Sequence, residues 1–442
     1  MATEHERDLA TFAADLETDA IPDRVRDRAG LTIADTLGAI VAGSTDDAVG
    51  ALARRWTDGA SGEATVLGAE GGETVPPLAA LCNGAAGTVL ELDEGHRFAA
   101  GHPAIHVLPA LLADAEIGYV DSDAFVRSFV AGYEVAVRTA RALGALRSGY
   151  HPHGVWGAVG GAAAVARSRG LDPETTRSAM AIAANYAQHT RFEAATEGAT
   201  VRNVYAGMSN LAALVAVDQA EAGFGGLENG VSRHLEHAAA DGLDEAALSA
   251  GLNERWELEH GYFKIHAACR YTHPTLDAMA ALSDELDPAT VESVRVETYP
   301  AAARLSESRP RNQLQAKFSI PFAVATALLR GETGPTAFAD EAITPEAIAL
   351  AERVTVAVDD EIAARAPEKR GARVTVETAD GRFSREVVAP RGGEHDPFDE
   401  ARIESKFREL VAPVIGEERA ATLWESARAP EPPRVLCTLA RR

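Results

Sequence analysis

A chain of 442 residues exceeds the ~250–300 at which single hydrophobic cores stop growing, so more than one domain is expected. Its 66 acidic residues against 42 basic ones leave a formal charge of −24, which excludes the basic stripe that nucleic-acid phosphates require. No 18-residue apolar run marks a membrane span, and the charged start MATEHERD has no apolar leader segment, so a cytoplasmic protein without membrane contact is expected.

The lysines are only Lys264, Lys317, Lys369 and Lys406, and arginine supplies the remaining positive charge. An acidic, lysine-poor surface of this kind stays hydrated in concentrated salt and points to a halophile, an acidic mesophilic protein being the plainer alternative. Cys82, Cys269 and Cys437 lie far apart with no CxxC spacing. Neither an iron–sulfur cluster nor a disulfide framework is expected.

In chain order, IPDRVRDRAGLTIADTLGAIVAG from Pro22 reads as one helix. Pro stands in its first turn, apolar residues recur at Val25, Ala29, Ile33, Leu37 and Ile40, and Gly43 supplies a stop. Helical spacing returns over 107–117, 122–143, 157–168, 173–188 and 208–222. Gly154, Gly157, Gly160 and Gly161 look like a phosphate loop, but no strand precedes them and no GK[ST] follows. Close helix packing is the favoured reading.

The period then changes. Val294-Arg295-Val296-Glu297-Thr298 alternates apolar and polar as a half-buried strand does. A second strand is expected over 354–358, and strands over 373–378 and 382–388 flank Ala379-Asp380-Gly381, a hairpin signal. A helix over 315–330 would cover this sheet. Helical spacing resumes at 400–410 and 417–428. The expected division is a helical part over 1–262, an α/β part over 263–394, and C-terminal helices over 395–442 that rejoin the first part.

Two histidine–proline pairs draw attention, His102-Pro103 and His151-Pro152. Proline biases the preceding residue out of the α region, which sets each histidine at an element boundary where its ring can face a cleft. Glu91, Asp93, Glu94 and His96, taken with His102 and His106 at i,i+4 spacing, also form a metal-ligand pattern. His106 reads equally as a core histidine and the acids as helix caps. His151 and His153 form a ligand pair or, with Pro152 and Gly154, a turn shaping a pocket wall. Lys264 and Arg270 flank His266 and Cys269 in a basic knot that suits an anionic substrate, or that merely balances Glu257 and Glu259 on the surface.

Seven segments in register carry a family resemblance: DTLGAIVAG, ELDEGH with GHPAIHVLPALLADAE, GYHPHGVWGAVGGAAAVARSRGLD, RNVYAGMSNLAALVAVDQAEAGFGG, FKIHAACRYTHPTLDA, AKFSIPFAVATALLRG and VTVETADGRFSREVVAPRGGEHDPF. Nearly end to end, the chain resembles the MmgE/PrpD family, which includes 2-methylcitrate dehydratase, cis-aconitate decarboxylase and iminodisuccinate epimerase. The resemblance implies a mainly α fold, with a large all-helical domain and a smaller α/β lid. It further implies a homodimer and a cleft whose chemistry needs no metal, cluster or other cofactor. By position, His102 and His151 match the family's motif histidines, Lys264 its cleft lysine, and Asp93 lies in its acidic motif. Departures fall at Glu91 (usually Asp), Gly95 (Thr or Ser), Arg202 (Lys) and Phe322, where decarboxylase-like members have Tyr. The two lost hydroxyls argue most against decarboxylation.

The resulting expectation is a hydro-lyase of propionate metabolism that dehydrates a 2-hydroxy tricarboxylate such as 2-methylcitrate. In it His102 and His151 are base and acid in unassigned order, and Glu91 or Asp93 orients a histidine. Lys264, Arg202, Arg270 and His96 bind substrate carboxylates. The alternatives are an epimerase or racemase of a small dicarboxylate, a cis-aconitate-type decarboxylase, a metal-dependent hydrolase, and an inactive helical scaffold.

Overall fold

The computed structural model describes residues 3–69, 71–188 and 190–442. Helices hold 59% of the chain and strands 11%, so the fold is mainly α with a small mixed sheet. The larger body contains α1 (Asp23–Gly43), α2 (Pro76–Val89), α3 (Pro103–Ile117), α4 (Ser122–Leu143), α5 (Gly157–Ser168), α6 (Pro173–Asn185) and α7 (Tyr205–Glu221). Asp121 and Asp172 cap α4 and α6 by accepting first-turn N–H groups, offsetting donors that a helix start leaves unpaired.

Small residues set how closely these helices approach. A Cβ at Gly160 would lie 2.5 Å from the Cβ of Ala136 and 2.7 Å from the Gly132 carbonyl oxygen, and one at Gly161 would lie 2.8 Å from the Cβ of Ala213. The glycine-rich run is therefore a helix contact joining α5 to α4 and α7, as its spacing indicates. A shared core of Leu37, Ile105, Phe129, Tyr133 and Trp156 fills the space between.

The sheet comprises β1 (Val291–Thr298), β2 (Val354–Val358), β3 (Ala372–Thr378) and β4 (Gly381–Val387), in the order β2-β1-β3-β4. β1 pairs parallel with β2 and antiparallel with β3, and β3 and β4 form the hairpin. Alternate valines Val294 and Val296 on β1 and Val374 and Val376 on β3 pack against Met279 and Leu282 of α8 (His273–Leu282) and Val324 of α9 (Ile320–Arg330). The single helix expected over 315–330 is two, Gln313–Lys317 and α9. Ser319 caps α9 by accepting the Phe322 N–H at 2.9 Å. Pro321 then occupies the first turn, where its missing N–H costs nothing. The break turns Phe318 toward the cavity described below.

After the sheet the chain returns to the helical body. In α10 (Glu400–Ile415), Phe407 lies against Gly38 of α1, and Lys406 donates to Asp35 at 2.5 Å and to the Leu92 carbonyl at 2.7 Å. α11 (Glu417–Arg428) follows, with Trp424 against Phe407. Among the described residues no helix is long and apolar enough to cross a membrane.

Candidate active site

His102 is the N-cap of α3, with φ −124° and ψ 82°, outside the α region, as the following proline requires. Its Nδ1 lies 2.7 Å from the Glu94 carbonyl oxygen and 3.2 Å from Asp93 Oδ2. A carbonyl only accepts, so Nδ1 carries the proton, and the Nε2 of neutral His102 is a bare lone pair. His151 has the opposite arrangement. Its Nδ1 accepts the His153 backbone N–H at 3.1 Å, so its proton resides on Nε2. Burial, with Arg202 nearby, holds the His151 imidazolium well below the usual histidine range and keeps the ring neutral. Phe192 stacks on that ring at 5.7 Å and 19°.

Glu91, with φ +55°, occupies the left-handed region that non-glycine residues seldom adopt. This places its carboxylate between two cations: Lys264 Nζ lies 3.1 Å from Oε2, and Arg202 pairs with Oε1. Burial alone would raise the Glu91 carboxyl, but the Arg202 and Lys264 cations outweigh it and hold the group well below the usual carboxylate range. All three members are at most 1% exposed. Two cations around one carboxylate leave one positive charge at this wall.

His102, His151, Glu91, Arg202 and Arg270 line one cavity of about 210 Å³. The remaining site candidates stand elsewhere. Asp93 is buried behind His102, and Lys264 behind Glu91. His96 is away from the cavity. Its Nδ1 accepts the Ala99 N–H, its Nε2 lies 3.6 Å from Glu257, and its ring packs on Tyr133; the geometry therefore assigns it no contact with a ligand there. Arg270 reaches the cavity wall, but its guanidinium is largely engaged by the Pro390 and Arg391 carbonyls at 3.1 and 2.8 Å and by the Tyr262 ring at 4.3 Å.

The sequence reading missed Arg304 and Arg370, which bring two further cations to the cavity from the sheet side. Arg304 lies over the Phe192 ring at 5.3 Å, and Arg370 donates to the Arg97 carbonyl at 2.7 Å. Nothing local marks them, because neither belongs to a motif containing histidine or acid.

Three expectations are corrected. Glu257 pairs with Arg141 and Arg255, and Glu259 with Arg24, so the basic knot does not balance them; Lys264 serves Glu91. Gly95 has a packing cause, since a Cβ there would lie 2.4 Å from the Tyr262 ring. Phe322 is buried beside Phe338 in a separate core. Neither departure removes a polar group from the cavity, so neither argues against decarboxylation. Among the described residues, no group of three or more His, Cys, Asp or Glu side chains is arranged to hold a metal ion.

Two family models match, the MmgE/PrpD N-terminal domain over residues 7–237 and the MmgE/PrpD C-terminal domain over 266–429. Among curated proteins, a cis-aconitate decarboxylase of Aspergillus terreus is 27% identical over 93% of this chain and 90% of its own. A cis-aconitate decarboxylase-like protein, oryM, of Aspergillus oryzae is 26% identical over 79% of each chain. The human cis-aconitate decarboxylase is 28% identical over 66% of this chain and 56% of its own.

Proposed function

Because this chain belongs to the MmgE/PrpD family, we propose that it is a lyase of a small tricarboxylate, and that it removes water from a 2-hydroxy acid such as 2-methylcitrate. One observation carries the reading: two buried histidines at one cavity hold opposite tautomers, an open Nε2 on His102 and an Nε2–H on His151. The chemical problem is a weakly acidic C–H beside a carboxylate. His102 Nε2 takes that proton, with Asp93 stabilising the imidazolium that forms. As the C–O bond breaks, His151 Nε2–H donates a hydrogen bond to the departing oxygen. His102 returns its proton to that oxygen, releasing water and leaving the carbon–carbon double bond. Arg202, Arg304 and Arg370 hold the carboxylates by charge-assisted hydrogen bonds. Residues 263–394 act as a lid that supplies two of these arginines, in a cytoplasmic homodimer that needs no cofactor.

A second reading is favoured by the names of the relatives: decarboxylation of cis-aconitate, in which the carboxylate leaves as CO2 and an imidazolium protonates the carbon. The two are separated by supplying 2-methylcitrate, citrate and cis-aconitate in molar potassium chloride and following the conjugated double bond by ultraviolet absorbance, with CO2 trapped in parallel. Dehydration predicts gain of absorbance from 2-methylcitrate without CO2, falling ~10²–10⁴-fold in His102→Ala. Loss of absorbance from cis-aconitate with stoichiometric CO2 would replace it by decarboxylation. No reaction with any of the three acids sinks both readings.

A further inference from the structure

His153 is the buried histidine at the cavity to which neither the mechanism above nor the motif comparison gives a task. It lines the cavity and is 1% exposed. Its ring lies edge-on to His151 at 4.5 Å, to His102 at 4.8 Å and to His106 at 4.9 Å, so it stands beside the proposed acid–base pair. Its backbone is locked. The N–H donates to His151 Nδ1, and the carbonyl accepts the Thr190 hydroxyl at 2.6 Å. Yet both ring nitrogens of His153 lack a hydrogen-bond partner among the described residues. A buried polar side chain left unpaired keeps its full desolvation penalty. Fixing such a ring at the wall of a cavity is understandable if a ligand completes it.

The chemistry of the ligand follows from the ring. Burial, with the Arg202 cation nearby, holds the His153 imidazolium well below the usual histidine range, so the ring is neutral. A neutral imidazole offers one N–H and one lone pair; it is a poor anchor for a carboxylate and a good acceptor for a hydroxyl. His151 presents an N–H beside it. With the His153 lone pair turned to the cavity, an oxygen that accepts from His151 and donates to His153 can only be that of a hydroxyl or water.

We propose that His153 is a specificity-determining residue that accepts the hydrogen bond of the substrate's 2-hydroxyl group, so that the cavity selects 2-hydroxy acids over their deoxy counterparts. This rests on the dehydratase reading for the substrate class, but it is testable without turnover. Binding of citrate and tricarballylate, which differ by the hydroxyl, and of malate and succinate as a smaller pair, is measured by calorimetry with the wild-type protein, His153→Phe and His153→Gln.

The wild type is expected to prefer the hydroxy member of at least one pair by ~10–100-fold, the value of one buried polar group left unpaired. His153→Phe should abolish the preference while leaving the deoxy acid's affinity unchanged, and His153→Gln, which keeps an acceptor, should restore part of it. The proposal is overturned if the wild type binds both members of each pair equally, or if the variants weaken both equally, as a mere prop for His102 and His151 would. Should His153→Phe fail to fold, His153→Val reads the same ratio. Selective binding without turnover would remove the dehydratase reading and leave this contact standing, whereas turnover without selectivity would do the reverse. Absence of binding by all four acids sinks the contact as well.

Discussion

Substituting Glu91 by Gln takes one negative charge from between two buried cations. Lys264 lies 3.1 Å from one carboxylate oxygen and Arg202 pairs with the other, and all three side chains are at most 1% exposed. Breaking a buried ion pair from one side costs about 3–5 kcal/mol, because the remaining charge keeps its desolvation penalty without its partner. Gln has nearly the same shape and the same difficulty at φ +55°, so backbone strain cancels between the variants and the change isolates charge. With an unfolding entropy of ~2.1 cal/mol/K per residue, such a loss lowers Tm by roughly 3–5 °C in a chain of this size. Scanning calorimetry would measure it. The double variant E91Q/K264M, which removes one cation along with the anion, should recover about half the loss. If E91Q stays within about 1 kcal/mol of the wild type, or the double variant recovers nothing, the triad is not the charge-balanced unit described here.

Asp93→Asn should lower kcat by about 10–100-fold with little change in KM, since Asp93 touches His102 and not the cavity; a dominant rise in KM would instead mark a binding role. Stability should fall as pH drops below ~6.5. His96, His106, His151, His153, His266 and His273 are all held below their ordinary value by burial. The unfolded chain therefore binds protons there that the folded one refuses, at up to ~1.4 kcal/mol per group per pH unit. Glu94 and Glu134, raised by burial to about 7, and Glu6, Asp35 and Asp114, also raised by burial, act in the opposite direction above their ordinary values, but the histidines outnumber them. A Tm that is flat or rising from pH 7 to pH 5.5 would contradict this balance. Gly157→Ala should destabilise by ~1–3 kcal/mol, because the added Cβ would lie 2.4 Å from the buried His106 ring; denaturant titration reads this directly.

Much of the architecture was legible because it depends on neighbours in the chain. The helices Ser122–Leu143, Gly157–Ser168 and Glu417–Arg428 have the bounds that their apolar period and end signals indicate, and the hairpin turns at Ala379-Asp380, as its glycine implies. The break at Phe318–Ser319 was hidden, since apolar spacing continues through it. Only the capping geometry of Ser319 and the position of Pro321 reveal the second helix start.

The sequence by itself determined the element types, the mainly α composition, the close glycine contacts of α5, and the placing of His102 at a helix boundary, all consequences of backbone preference and periodicity within a few residues. Tertiary structure alone decided which charges meet. Glu91 finds Lys264 across 173 positions, Arg304 and Arg370 arrive from the sheet side, and His96 is drawn away to Glu257. It also decided the tautomers of His102 and His151, because a ring's proton position follows from whichever carbonyl or N–H folding brings to Nδ1. Such pairings depend on distance in space, and no local period records them.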